Sequence, residues 1–307
     1  MESMFIIILI SIIRLSVPVI FTGLGNMFCE KAGVMNLGAE GMMIAGAFGA
    51  ALGAYLTGNA WIGVIVGILC GMLVALIHAL ISVEFGGLQN ISGLGLNALA
   101  GGLTAFFCRF FFGSGKSPIV DSIQSVPFLA GVPVIGKFLA QFSPLMYLLI
   151  LLYVVSWYVV KKTVYGLRIT AVGDDPKTVE TAGIDVWRLR TTCVAVCGAL
   201  AGLAGAYLSI GHLNIFVENM TMGKGMLAVI AVKMGRWDPK RIVAIAAMFS
   251  FFDALQLQLQ MYNTGLPVEI LQMIPFIVGV LAIAFSKNSI SAPRQLNKPY
   301  VKNKFTM

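Results

Sequence analysis

The sequence predicts an all-α protein that crosses a membrane about eight to ten times, as one integral unit built from two halves of opposite orientation. Three observations predict it. The 307 residues are 58% hydrophobic and only 11% charged, whereas a soluble domain carries roughly 25% charged residues. Apolar stretches of about 20 residues, the length of a membrane-crossing helix, succeed one another along the chain. They lack the two-residue alternation of a barrel, and lipid admits only helices or closed barrels. Finally, the basic residues cluster. Lys161 to Arg190 holds six, Lys233 to Arg241 four and Lys287 to Lys304 five, together 15 of the 21 Lys and Arg. By the positive-inside rule these segments lie in the cytoplasm. The net charge of +8 thus follows from topology and does not point to nucleic acid.

The elements follow in order. MESMFIIILISIIRLS lacks a basic leader and a small-residue cleavage site, and opens a first span over about Met4 to Phe28. Pro18 can kink this span, and Arg14 must snorkel or face protein. A polar break, Glu30 to Asn36, precedes a second span from Leu37 to Leu56. The third, Trp61 to Ile81, carries Gly63, Gly67 and Gly71 at four-residue spacing, a stripe that permits close helix approach. The fourth runs from Ile91 to Phe112, and the proline-rich, base-poor Gly113 to Phe142 is expected outside. A fifth span, Pro144 to Val160, leads into the polar insert Gly166 to Arg190. In that insert Asp174 or Asp175 can cap a short helix, Pro176 suits its first position, and Gly183 can end it in a left-handed conformation. At under two turns such a helix needs something to dock on. The sixth span is Thr192 to Ile210, rich in small residues. Gly223 to Met234 is too short to cross comfortably and is either a short span or a re-entrant half-helix. Ile242 to Met261 and Pro267 to Phe285 complete the spans, and the polar tail from Ser286 is expected to fray.

With the insert inside and the short seventh segment crossing, both later basic clusters also fall inside. The halves, about residues 4–112 and 191–286, then have opposite orientation within a single domain, 1–307. NLGAEGM (Asn36 to Met42) after the first span is echoed by TMGKGM (Thr221 to Met226) after the sixth. Inverted halves with a glycine-rich break before a helix form a transporter pattern.

GSGKS, Gly113 to Ser117, is not a phosphate-binding loop: Phe110 stands where the pattern needs glycine, no strand precedes it and Pro118 follows at once. No Ser-His-Asp or metal constellation is visible, so no catalytic or metal residue is assigned. The five cysteines (29, 70, 108, 193, 197) read as apolar fillers. The candidate pathway residues are polar groups within the membrane: Asn36, Glu40, Asn97, Lys224, Asp253 and Gln256. Glu40 and Lys224 occupy equivalent points of the two halves with opposite charge and are expected to approach each other, if both breaks reach the midplane. Gln89, Asn90, Ser92 and Asn97 form one polar group. Asp253, Gln256 and Gln260 share one helix face. Such amides can bind a polar solute or glue helices together.

FCEKAGVMNLGAEGMM (Phe28 to Met43), GLRITAVGDDPKTVETAGID (Gly166 to Asp185), GALAGLAG (Gly198 to Gly205), GKGMLA (Gly223 to Ala228) and GRWDP (Gly235 to Pro239) occur in order. They resemble signatures of the nucleoside-type and simple-sugar-type ABC importer permeases, within the larger group of branched-chain amino acid and ribose permeases. The AEGMM form at Ala39 to Met43 is similar to the nucleoside branch. The resemblance implies that Gly173, Asp174, Asp175, Pro176, Lys177, Glu180, Ala182 and Gly183 form a coupling helix docked on a separate cytoplasmic ATPase. ATP and Mg would be bound there and not by this chain. It also implies a second homologous permease subunit in a heterodimer, a substrate-binding lipoprotein outside, and a multi-pass location in the bacterial plasma membrane. The expected function is a nucleoside importer subunit, not an enzyme. Rivals are a simple-sugar importer, an ion-coupled secondary transporter using Glu40 or Asp253, and a membrane scaffold.

Overall fold

In a computed structural model the protein is described over residues 2–123, 141–261, 267–285 and 292–300. Twelve α-helices lie within these residues. The first half comprises α1 (Glu2–Lys31), α2 (Ala39–Thr57), α3 (Ala60–Ala79) and α4 (Gln89–Phe112). The middle comprises α5 (Pro144–Lys162), α6 (Val164–Asp174) and α7 (Pro176–Thr181). The second half comprises α8 (Val186–Ala206), α9 (Lys224–Met234), α10 (Pro239–Met261), α11 (Val268–Gln272) and α12 (Ile274–Phe285). Wider π-turns extend α3 over Leu80–Glu84 and α8 over Tyr207–Leu213. Among the described residues seven helices are long and apolar enough to cross a membrane. The loop assigned to the outside is described only to Ile123 and from Gln141, so most of that expectation lies outside the described residues.

The centre of the bundle is α2, α3 and α8. The glycine stripe predicted on α3 does what the spacing implies: a Cβ on Gly71 would lie 2.5 Å from Gly202 Cα, so α3 and α8 touch backbone to backbone. In lipid, where apolar side chains gain little by leaving the solvent, such contact is a main source of helix association. Around it pack Val17, Phe21, Leu24, Met43, Leu203 and Tyr207, all buried.

Contacts at the two ends test the orientation. At one end Lys161 pairs with Asp238 at 2.8 Å, Trp237 donates to Glu30, and Gln295 N–H donates to the Gly173 carbonyl. All three basic segments therefore share this end. Burial would raise the Asp238 carboxyl, yet the Lys161 ammonium holds it below the usual carboxylate range. At the other end Arg14 donates to the Gln141 carbonyl, Arg109 forks onto Glu218 at 2.7 and 2.9 Å, and Lys116 bridges Val217.

Three expectations are corrected. The insert contains two helices, because Val164–Asp174 is helical before the turn at Asp175; the Thr163 hydroxyl caps it by accepting from Gly166 N–H. Gly223 to Met234 neither spans alone nor re-enters. The helix within it, α9, has 11 residues that rise about 16 Å, half of a hydrocarbon core. The chain enters from the Glu218 end as irregular backbone over 214–223, and α9 completes the crossing to the basic end. The tail does not fray over 292–300: Leu296 and Tyr300 pack against a cluster containing Ile169, Val172 and Val179. The other tail residues from Ser286 lie outside the described set.

Candidate functional site

The site is built where the two breaks meet. The first break, 32–38, is closed by side chains from α3 and α4. Gln89 Oε1 accepts from Met35 N–H at 2.6 Å and His78 Nε2 sits 3.1 Å from the Met35 carbonyl. Asn97 donates to the Leu37 carbonyl at 2.8 Å and accepts from Gly41 N–H at 2.7 Å. Asn36 Oδ1 accepts from Gly38 N–H at 2.9 Å, and its Nδ2 reaches Cys197 Sγ. Irregular backbone is tolerated at membrane depth only when satisfied in this way. Asn36 and Asn97 thus hold backbone in place. Neither is among the residues lining the cavity described below.

The second break, 214–223, is tied at its outer part. Ser117 and Phe216 exchange bonds of 2.9 Å, and Glu218 N–H donates to the Gly115 carbonyl at 3.0 Å. Arg109 holds the Glu218 carboxyl below its ordinary value, chiefly by hydrogen bonding. The inner part turns sharply: Met222 and Gly223 both take positive φ, 47° and 79°. Glu40, in the first turn of α2, then caps α9 across the half-to-half boundary. Its Oε1 accepts from Gly223 N–H at 2.8 Å and its Oε2 from Gly225 N–H at 2.6 Å. A Cβ on Gly225 would stand 2.6 Å from the Glu40 backbone, so this approach requires glycine.

Glu40 and Lys224 do come together, but not as an ion pair. Lys224 Nζ bonds Asp253 Oδ2 on α10 at 2.8 Å, with the side chains only 11% and 15% exposed. The reason is electrostatic. The N-terminus of α9 carries partial positive charge, which attracts the Glu40 carboxylate and disfavours a cation at its first residue. Lys224 therefore needs a carboxylate of its own, and Asp253 supplies it.

Beside this pair lies a cavity of about 460 Å³, lined among others by His212, Asn219, Lys224, Asp253, Gln256 and Gln260. The three α10 residues face it together, as their spacing predicted. His212, Asn219, Gln272 and Phe276 also line it and escaped sequence reasoning. His212 lies on the π-turn that re-aims the end of α8, and Gln272 ends a helix of five residues; neither has a periodic signature. The volume and the mix of apolar wall and converging amides suit a small polar molecule. The Lys224–Asp253 pair leaves the wall close to charge-neutral.

The predicted coupling residues lie at the basic end. Asp175 is the cap: it accepts from Thr178 N–H at 3.4 Å and from its hydroxyl at 2.6 Å. These bonds hold the Asp175 carboxyl below the usual range. Pro176 starts α7 and Gly183, φ 80°, ends it. Lys177, Thr181, Ala182 and Gly183 are exposed, whereas Val179 is buried underneath. Gly173 is buried and Asp174 accepts from Arg294 N–H.

A membrane-embedded bundle with a broken helix beside a polar cavity and an exposed short helix at its basic end has the build of a permease. Residues 8–285 match the family model described as the permease component of branched-chain amino acid transport systems. The chain belongs to this permease family. NupQ, a guanosine ABC transporter permease of Bacillus subtilis, is 31% identical over 94% of both chains. NupC, a nucleoside ABC transporter permease of Lactococcus lactis, is 31% identical over 97% of this chain and 98% of its own. TsgC13 of Haloferax volcanii, a permease whose name assigns it to glucose, is 37% identical over 83% of this chain and 78% of its own. Among solved structures, an inward-facing ABC transporter described as metal-chelate type superposes with a TM-score of 0.53 at 14% identity, covering 91% of this chain and 85% of that one. At that identity the likeness concerns the fold alone.

Proposed function

We propose that this chain is a membrane-spanning subunit of an ABC importer for nucleosides in a bacterial plasma membrane. The observation that carries the reading is the whole-length similarity to two permeases named for guanosine and nucleosides. The cavity agrees with it. An uncharged nucleoside offers hydrogen-bonding edges and hydroxyls to Asn219, Gln256, Gln260 and Gln272, and an aromatic base to the Phe276 ring. Asp253 and Lys224 would line the passage, and Glu40 would hold the broken helix in place. The exposed α7, with the residues Gly173 to Gly183, is the docking point for a separate cytoplasmic ATPase, which binds ATP and Mg. A second homologous permease and a substrate-binding lipoprotein complete the importer.

A sugar is the second reading, favoured by the similarity to TsgC13. Uptake of a labelled nucleoside, with and without the chain, decides between them. Loss of uptake without the chain, competed by unlabelled nucleosides and not by ribose or glucose, supports nucleosides. Competition by sugars alone moves the assignment to sugars. Uptake that survives collapse of the proton gradient while ATP is maintained supports ATP drive. Replacing Gly183 with Val should impair ATP-driven uptake, because a β-branched residue resists positive φ by about 1–2 kcal/mol. A Cβ there meets no neighbour of this chain within 4 Å, so within the chain the strain is one of backbone conformation.

A further inference from the structure

The tail segment 292–300 lies across α7 from one end to the other. Before the helix, Gln295 N–H donates to the Gly173 carbonyl at 2.9 Å and Arg294 N–H to Asp174 Oδ1 at 3.2 Å. In its last turn, the Tyr300 hydroxyl donates to Glu180 Oε2. The Tyr300 phenol is pushed up to about 12, first by burial and then by this bond and the carboxylate charge, so it remains a donor at cellular pH. Between these points the strap closes over Arg190. This guanidinium is 1% exposed. It donates from Nε to the Ala32 carbonyl at 3.0 Å and from Nη1 to the Lys298 carbonyl at 3.5 Å, and it lies 5.9 Å from the Tyr300 ring centroid. A buried cation is costly unless its donors are met. The strap supplies a carbonyl to Nη1 and a ring beside the guanidinium, while Nη2 has no hydrogen-bond partner among the described residues, so the strap covers the cation as part of the fold.

Arg190 is in the first turns of α8, the helix whose far end carries Leu208 and His212 to the cavity. A helix of six residues frays alone in water. A push on an unclamped α7 would be lost in local yielding before reaching α8.

We propose that residues 292–300 belong to the coupling apparatus. Tyr300 is a positioning residue that holds the last turn of α7, Gln295 and Arg294 hold the end of α6 just before it, and Arg190 is a positioning residue that ties this strap to α8, so that displacement of α7 moves α8. The proposal rests on the reading of α7 as the ATPase docking helix.

The test uses the assembled transporter with Tyr300→Phe, which keeps the ring and removes the hydroxyl, and Tyr300→Ala, which removes both. Amide hydrogen exchange over 174–183 should quicken about tenfold or more in the first, the worth of one hydrogen bond to a carboxylate, and further in the second. Solute taken up per ATP hydrolysed should fall in the same order. Unchanged exchange in Tyr300→Ala overturns the clamp. Uptake and hydrolysis that fall in equal proportion, with their ratio kept, overturn the coupling role and leave a structural one. The docking reading fails separately: if Gly183→Val transports normally with ATP, α7 does not couple, while the exchange result still reports the clamp.

Discussion

The two breaks, 32–38 and 214–223, come from similar sequence and are held by opposite chemistry. The first is closed by neutral groups, Gln89, His78, Asn36 and Asn97, which bond its backbone. The second is pinned by a carboxylate from the other half, Glu40, and adjoins the Lys224–Asp253 pair. The first break packs into the bundle, and the second adjoins the cavity. Neutral bonds to backbone hold one geometry. A charged cap and an ion pair beside an open volume leave a site whose energy changes steeply if the partners move. NLGAEGM and TMGKGM each lead into a helix, but Gly38 (φ −83°) and Gly223 (φ 79°) turn the chain differently, so the similarity marks equivalent position and neither equivalent backbone nor equivalent roles.

The comparison can be broken in several places. The largest effect is expected from Asp253→Ala, which strands the Lys224 ammonium at low exposure. Removing one partner of a buried pair costs about 3–5 kcal/mol, so thermal unfolding in detergent should drop sharply. The double change Lys224→Met with Asp253→Leu should restore much of that stability without restoring uptake. If it restores both, the pair is structural and the second break is no different in kind from the first.

Glu40→Gln comes next. In the amide one of the two accepting oxygens becomes an NH2 donor facing a backbone N–H, so one of the Gly223 and Gly225 bonds is lost, and the charge facing the α9 N-terminus is gone. Bonds to charged groups contribute about 1.5–3 kcal/mol, so amides 223–227 should exchange faster while the first break stays protected. Equal loss of protection in both breaks would mean the two are one cooperative unit.

Asn97→Ala should cost about 2 kcal/mol by leaving Leu37 and Gly41 unpaired. Solute preference in competition assays should stay unchanged, since Asn97 does not line the cavity. A changed preference would place the pathway at the first break as well.

The smallest effect sharpens the contrast with an exposed carboxylate cap. Asp175 on α7 has a depressed pKa in the folded chain. Its contribution is therefore present above the ordinary aspartate value and is lost as pH falls through the depressed one. Protection at Thr178 should decline in that acid window, and in Asp175→Ala it should be low at every pH.

Much of this was legible in the residues. Apolar length located seven of the expected spans among the described residues, whereas Pro267 to Phe285 forms two short helices, α11 and α12. The basic clusters showed which segments share one end, and Asp175-Pro176 with Gly183 delimited α7 to within a residue. The α10 spacing placed Asp253, Gln256 and Gln260 on one face. The expected Glu40–Lys224 pairing was half legible. Equivalent positions in inverted halves suggested contact, but a sequence does not show that Glu40 would meet a helix N-terminus instead of an ammonium. His212 and Gln272 were not legible, because the π-turn and the short helix that aim them have no periodicity to read.

The sequence by itself determined that the chain lives in a membrane, which end of it is basic, and where short polar breaks interrupt the spans. These follow from local composition, since the solvent acts on each segment separately. Only the tertiary structure decided which carboxylate serves Lys224, that α9 completes a crossing begun by irregular chain, and that 292–300 closes over α7. Those outcomes depend on partners 29 to more than 180 residues apart. Their pairing is settled by which buried charges and backbone groups must be satisfied once the helices have packed.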